Sequence, residues 1–403
     1  MRLAGSKLAR FAAATFGPGI LAAVFGAASP APAMAQGGAF VVRLGRDTIA
    51  VERFTRSATR LEGDVVYRQP RTTLRHYVVD LAADGHVTRA ELAIRPGGSP
   101  ESAPPQQRVV ATFAHDSAVV EIRRDTAVIT RRLAASAAVL PAFGNAAASW
   151  IAFELMVDRL RRSRADSVAV PVYNMMGANA VGSWSAKMLG RDSVFLFDGN
   201  DVFHVRVDRD GHILASTALS GTQQFSVERV ATVDIAALSA AFAARDQGGQ
   251  ALGQLSPRDT VRATVGGANL LIDYSRPSKR GRVIFGSAMV PWGEVWRTGA
   301  NAATQFRTDQ ALEMGGIVVP AGFYTLWTIP SPTGWKLLIN SETGQWGTAH
   351  KAERDLYQLD LTVSALSQPV ERFTITLVPG AQGGTLNLDW DTIRASIPFT
   401  VRQ

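Results

Sequence analysis

From Gly38 to about Val230 the chain alternates apolar and polar side chains with a period of two, in runs of five to seven residues. Phe40, Val42 and Leu44 alternate with Val41 and Arg43, and Phe203, Val205 and Val207 alternate with His204 and Arg206. Successive side chains of a strand point to opposite faces of its sheet, so this period calls for strands with one buried face. A punctuation mark recurs between the runs: Arg46-Asp47-Thr48, His115-Asp116-Ser117, Arg124-Asp125-Thr126, Ala165-Asp166-Ser167 and Arg191-Asp192-Ser193. Asp closes a turn on its own backbone two residues on, and Thr or Ser opens the next strand. The pattern reads as a meander of hairpins, too irregular for a repeat array. Asp208-Arg209-Asp210-Gly211 resembles a fragment of a calcium loop, but Arg206 and Leu214 stand where ligands are needed, so it reads as a tight turn.

One helix interrupts the strands near 146–162. Trp150, Phe153, Met156, Val157 and Leu160 form one apolar stripe, Glu154, Asp158 and Arg161 lie off it, and Arg159, Arg161 and Arg162 suit its C-terminal end. Strands with a helix packed on them imply an antiparallel sheet or half-barrel, whose apolar hollow would suit a lipid. A second helix is expected over 235–245, capped by Asp234, with Ile235, Leu238 and Phe242 on one face. Gln247-Gly248-Gly249-Gln250 and Gly253-Gln254 then read as a flexible linker. The expected organisation is a β-rich domain over 36–246, a linker over 247–255 and a second domain over 256–403.

Residues 1–35 have the character of an export signal. Arg2, Lys7 and Arg10 precede an apolar stretch from Phe11 to Phe25, and Ala33-Met34-Ala35 forms a small-x-small cleavage site. Cleavage near Ala35 would send the protein to the periplasm or the exterior. No later stretch reaches the ~20 apolar residues of a spanning helix. The chain has no cysteine, which excludes disulfides and thiolate chemistry. Beyond the signal the net charge is +5, because that segment holds three of the 42 basic residues and none of the 34 acidic ones. So modest a charge does not imply nucleic acid.

After Ser256 the texture changes, and six of the eight tryptophans lie there. Strand candidates are 263–274, 303–308, 323–329, 335–339, 356–363, 372–378, 385–390 and 393–401, divided by turns such as Pro320-Ala321-Gly322 and Pro332-Thr333-Gly334. Eight short strands without a helix indicate an antiparallel β-sandwich, jelly-roll-like. Several segments are distinctive: Ser256-Pro257-Arg258, Asp273-Tyr274-Ser275-Arg276-Pro277, the run from Gly281 to Gly286, and Val295-Trp296-Arg297-Thr298-Gly299-Ala300-Asn301. Others follow in order: the run from Pro320 to Leu326, Trp346-Gly347, the run from Leu386 to Asp391, and Ser396-Ile397-Pro398-Phe399. Together they resemble the bacterial domain of unknown function family 2911 (DUF2911) over almost all of 255–403. The resemblance implies an exported β-rich fold and no established chemistry. Where such domains often carry a Tyr after Trp-Gly, this chain reads Thr348-Ala349-His350.

No Gly-x-Ser-x-Gly elbow, His-Glu-x-x-His, phosphate loop or dinucleotide fingerprint occurs, and no cofactor or metal is expected. The candidate ligand contacts are Asp273, Tyr274, Arg276, Trp296, Arg297 and Asn301, with Trp292 as a further flat face. Arg297 offers a planar fork of donors suited to a carboxylate, phosphate or pair of sugar hydroxyls. Two readings stand for this stretch. Either it lines a pocket for a small polar or carbohydrate-like ligand, or Arg297 pairs with Asp273 or Glu294 and Asn301 satisfies loop carbonyls, locking a crossing of strands. The leading expectation is a non-catalytic binding or envelope-associated module. A hydrolase using Asp273, Glu294 or His350 is one alternative, and a structural protein carrying lipid in its first domain is the other. The run Arg276, Lys279, Arg280, Arg282 reads as a solvated hairpin turn with Gly281 at its tip.

Overall fold

The computed structural model describes residues 36–219 and 224–402, so the expected export signal lies outside the described residues. Among these the chain forms two sheets and two α-helices. The first eight strands are β1 (Gln36–Leu44), β2 (Asp47–Arg56), β3 (Arg60–Tyr67), β4 (Thr73–Leu81), β5 (Val87–Pro96), β6 (Gln107–Phe113), β7 (Ser117–Arg124) and β8 (Ala127–Ala134). A short β9 (Leu140–Ala142) leads into helix α1 (Ile151–Ser163). Then come β10 (Ser167–Asn174), β11 (Gly182–Met188), β12 (Ser193–Phe197), β13 (Val202–Val207), β14 (Ile213–Ala218), β15 (Phe225–Val230) and helix α2 (Ile235–Gln247). These fifteen strands make one sheet, ordered β8 down to β1, then β15 down to β9, so the first and last strands meet in its middle. All neighbours are antiparallel except β9 with β10. Each of the five Asp-centred marks falls at a connection between elements. In the Asp208 turn, the carboxylate accepts the N–H groups of Asp210 and His212 at 2.9 and 2.8 Å.

Fifteen strands at ~4.8 Å spacing would make a flat sheet about 67 Å wide, whereas a helix of this length reaches only about 20 Å. Yet Phe40, Leu61, Val109, Val194 and Phe203 share one continuous apolar core with α1. The sheet therefore curls around the helix. Trp150, Phe153, Met156, Val157 and Leu160 are all buried there. The start of α1 has no side-chain cap of its own. Glu52, on β2, accepts the Trp150 N–H at 2.6 Å, the Ser149 hydroxyl at 2.7 Å and the Tyr77 hydroxyl at 2.9 Å. Burial pushes the Glu52 carboxyl up to about 7 against the pull of those bonds. Helix α2 lies on the sheet's other face, where Ile235, Leu238 and Phe242 meet Val41, Val51 and Val66. The Asp234 carboxylate caps it through the Ala237 N–H at 2.9 Å.

The segment after α2 is tied down: the Gly253 N–H donates to the Pro70 carbonyl at 2.9 Å, and Leu255 is buried in the first core. The second sheet contains β16 (Arg258–Val265), β17 (Ala268–Ser275), β18 (Thr304–Thr308), β19 (Leu312–Met314) and β20 (Ile317–Val319). It is completed by β21 (Gly322–Ile329), β22 (Trp335–Asn340), β23 (Asp355–Pro379) and β24 (Gly383–Val401), in the order β16-β17-β18-β21-β22-β23-β24-β19-β20. The four separate strands expected after Leu356 are two long ones. They run through register breaks between Ala365, Val370 and Thr374, which bend them from one layer to the other. Bonds from the Phe373 N–H to the Pro277 carbonyl and from the Ile375 N–H to the Tyr274 hydroxyl, both 2.9 Å, join β23 back to the end of β17 and the residues just after it. The sandwich core between holds Ile272, Leu337, Phe373, Trp390 and Ile397.

The basic run is not a solvated hairpin. Arg280 is buried and donates to Asp47 of the first sheet at 2.5 Å, while its carbonyl accepts the Arg46 N–H at 3.0 Å. Lys279 pairs with Asp391, and Arg282 donates to the carbonyls of Lys279 and Ser278 at 3.0 and 2.7 Å. Arg280 joins the two sheets, while Lys279 and Arg282 hold the connection itself.

Candidate functional site

Between β17 and β18 the chain makes a long connection over 276–303, and its last turn is held in an unusual backbone form. Thr298 (φ 52°) and Asn301 (φ 60°) both occupy the left-handed region, which side chains other than Gly rarely adopt. Several contacts hold this geometry. Trp296 is buried, lies stacked on Trp390 at 5.8 Å, and donates its indole N–H to the Gly299 carbonyl at 3.2 Å. The Thr304 hydroxyl donates to the Thr298 carbonyl at 2.7 Å, and the Thr298 hydroxyl reaches that of Thr328 at 3.2 Å. Locked in this way, the turn presents Arg297 and Asn301 on one side.

They face a cavity of about 700 Å³ whose other walls come from the first sheet. Its apolar floor is Ala146, Val172, Trp184 and Phe225, at one end of the first core. Its polar wall is Asn174 with the β12–β13 turn, Asp198, Asn200 and Asp201. There the Asp198 carboxylate accepts the N–H groups of Asn200 and Asp201 at 3.0 and 2.8 Å, and the Asn200 amide donates to Asp201 at 3.0 Å. Trp346 and Thr348 complete the mouth, and Trp346 is 55% exposed. Burial pushes the Arg297 guanidinium below its ordinary range, and the negative Asp201 opposes that shift. Arginine starts so far above neutrality that it stays charged.

Arg297 donates to the Asn301 carbonyl at 3.2 Å, so the turn is partly locked by it. It does not pair with Asp273, which is bound bidentately by Arg258 at 2.6 and 2.7 Å. The other candidates are engaged away from the cavity. Arg276 donates to Asp259, the Phe373 carbonyl and Thr374 at 2.9, 3.0 and 2.7 Å. Tyr274 and Trp296 are buried in the sandwich core, and Trp292 stacks on Phe285 at 5.9 Å. Of the expected hydrolase residues, His350 sits 3.0 Å from Asp355 and Asp273 is held by Arg258. Trp346, Thr348 and the wall from the first sheet join the site only through the fold. The Trp346-Gly347 pair carried the only signal. Gly347 is needed for contact: a β-carbon there would lie 2.3 Å from Cδ of Arg297 and 2.5 Å from the Asn301 carbonyl oxygen. Gly347→Ala is expected to displace the turn and lower stability by roughly 1–3 kcal/mol, measured as a fall in the denaturant midpoint. An unchanged midpoint would mean the turn yields freely.

No curated protein matches the chain. A crystal structure of a DUF1089 family protein from Pseudomonas aeruginosa superposes with a TM-score of 0.30 at 11% identity, over 42% of this chain and 89% of that one. A β-barrel-like protein of DUF1849 from Brucella abortus superposes with a TM-score of 0.32 at 13% identity, over 48% and 94%. Both scores are too low to argue from. Residues 256–399, which carry Arg297, Asn301 and Trp346, match the family described as "Protein of unknown function (DUF2911)".

Proposed function

We propose that the protein is an exported binding module that holds a small polyhydroxylated, carbohydrate-like ligand between its two sheets. The observation that carries this reading is Arg297, whose fork lines an open cavity opposite the Asp198–Asp201 turn and beside the exposed Trp346. Sugars are gripped by planar polar groups that engage pairs of hydroxyls and by aromatic faces that cover their C–H surfaces. The wall has carboxylates and amides, the turn has a guanidinium, and the mouth has an indole. Charges of both signs favour a neutral ligand over a strongly ionic one. Export is read from residues 1–35.

The test is calorimetric titration of the purified chain with a panel of mono- and oligosaccharides. Arg297→Ala and Trp346→Ala are each expected to weaken binding about tenfold or more. The unliganded Arg297→Ala protein should lose only about 1 kcal/mol, the worth of one hydrogen bond. No saturable binding across the panel would sink the proposal. A collapse of the unliganded variant would mean that Arg297 is a structural lock.

A further inference from the structure

A second opening, about 370 Å³ in volume, lies where the β1–β2 turn, the end of α2 and the loops of the second sheet come together. Five arginines line it, Arg46, Arg68, Arg245, Arg280 and Arg372, against the two carboxylates Asp47 and Glu371. Arg68 and Arg280 are more than nine-tenths buried, at 6% and 7% exposure, and the Nε–H of each has no hydrogen-bond partner among the described residues. Arg68 uses Nη1 on the Thr48 carbonyl at 2.8 Å and lies 4.2 Å over the Phe242 ring. Arg280 uses Nη1 on Asp47. Each fork thus keeps an unmatched Nε edge in a place where water is scarce. Burial pushes Arg68 down, with Asp47 and Asp246 opposing and Arg245 and Arg280 adding to it; burial and Arg280 push Arg282 to about 10 against Glu371 and Asp47.

We infer that this seam binds a multivalent oxyanion of the phosphate class, gripped by the forks of Arg68 and Arg280 with Arg46, Arg245 and Arg372 around it. Tetrahedral oxyanions match guanidinium forks edge to edge and supply the negative charge that the two carboxylates leave short. The ligand is free orthophosphate or the phosphate of a small monoester. Because the arginines come from both sheets and from the end of α2, binding ties all three together and stabilises the whole chain.

The test titrates the purified chain with inorganic phosphate and with glycerol phosphate, each against sodium chloride at matched ionic strength. A saturable rise in melting temperature beyond the chloride control is expected for at least one, and the tighter of the two names the source. Arg245 and Arg372 are exposed, so Arg245→Gln with Arg372→Gln should leave the unliganded melting temperature unchanged and weaken the oxyanion about tenfold or more. Saccharide binding should be untouched in that variant, which separates this site from the Arg297 cavity. The inference is overturned if neither oxyanion exceeds chloride or if the double variant keeps full affinity. It is overturned equally if oxyanion binding is lost in Arg297→Ala and kept in the seam variant.

Discussion

Glu52→Ala is expected to cost about 3–5 kcal/mol, because three buried donors converge on its carboxylate and each orphaned donor costs roughly 1–3 kcal/mol. The donors are Tyr77, Ser149 and the Trp150 N–H, and the last opens a helix that has no other side-chain cap. The effect should appear as a lower denaturant midpoint together with loss of helical signal from α1. A shift below 1 kcal/mol would show that the bonds are replaced by others. The same residue has a pH signature. Burial raises its folded pKa to about 7 from an ordinary 4.5, so the folded state holds the proton more tightly. Stability from this group is full below about pH 4.5 and is lost as the pH rises to 7, by about 3 kcal/mol. Glu52→Gln keeps a neutral group whose amide can donate to the Tyr77 and Ser149 oxygens while its carbonyl accepts the Trp150 N–H. The variant should therefore flatten the pH dependence between 5 and 8. Denaturation curves at both ends of that window decide the matter, and a variant that tracks the parent's slope would clear Glu52 of responsibility.

Trp296→Ala should cost a similar 3–5 kcal/mol, the usual range for a large aromatic removed from a core. Trp296 is 5% exposed and touches Trp335, Phe373 and Trp390 within one aromatic cluster. Its indole N–H also secures the Gly299 carbonyl, inside the turn that keeps Thr298 and Asn301 left-handed. Saccharide affinity at the cavity should therefore fall along with stability, although Trp296 does not line it. Trp296→Phe separates the two effects, since it keeps ring packing and removes the N–H. A loss of about 1 kcal/mol with a larger loss of affinity is expected for that variant. Trp296→Ala within 1 kcal/mol of the parent would contradict the packing account.

Local chemistry was legible in the chain and distant meetings were not. Phe40, Val42 and Leu44 announced a strand because alternation is a property of five adjacent residues, and Asp234 announced a cap for the same reason. Glu52 looked like one more polar strand residue, and its role depends on a helix 98 positions further along. Nearness in sequence groups Tyr274 and Arg276 with Arg297. Tyr274 instead points into the core and Arg276 turns to Asp259, while the wall opposite Arg297 comes from a hairpin about a hundred residues earlier. Arg280 was read as solvated because its partner, Asp47, is 233 residues away.

The meeting of β1 and β15 in the middle of the first sheet has a consequence for how the chain reaches its fold. Strands β2 to β8 and β10 to β14 pair with sequence neighbours, so each arm can form by short hairpin closures. Their joining waits on one long-range pairing, Ala39 with Val230, which only a nearly complete first half can supply. Until then β1 presents an unpaired edge with apolar residues on both of its faces, the kind of edge that recruits other chains. Slow steps and aggregation during refolding should therefore track this junction, and a sheet pulled or heated apart should open there as two separate leaves.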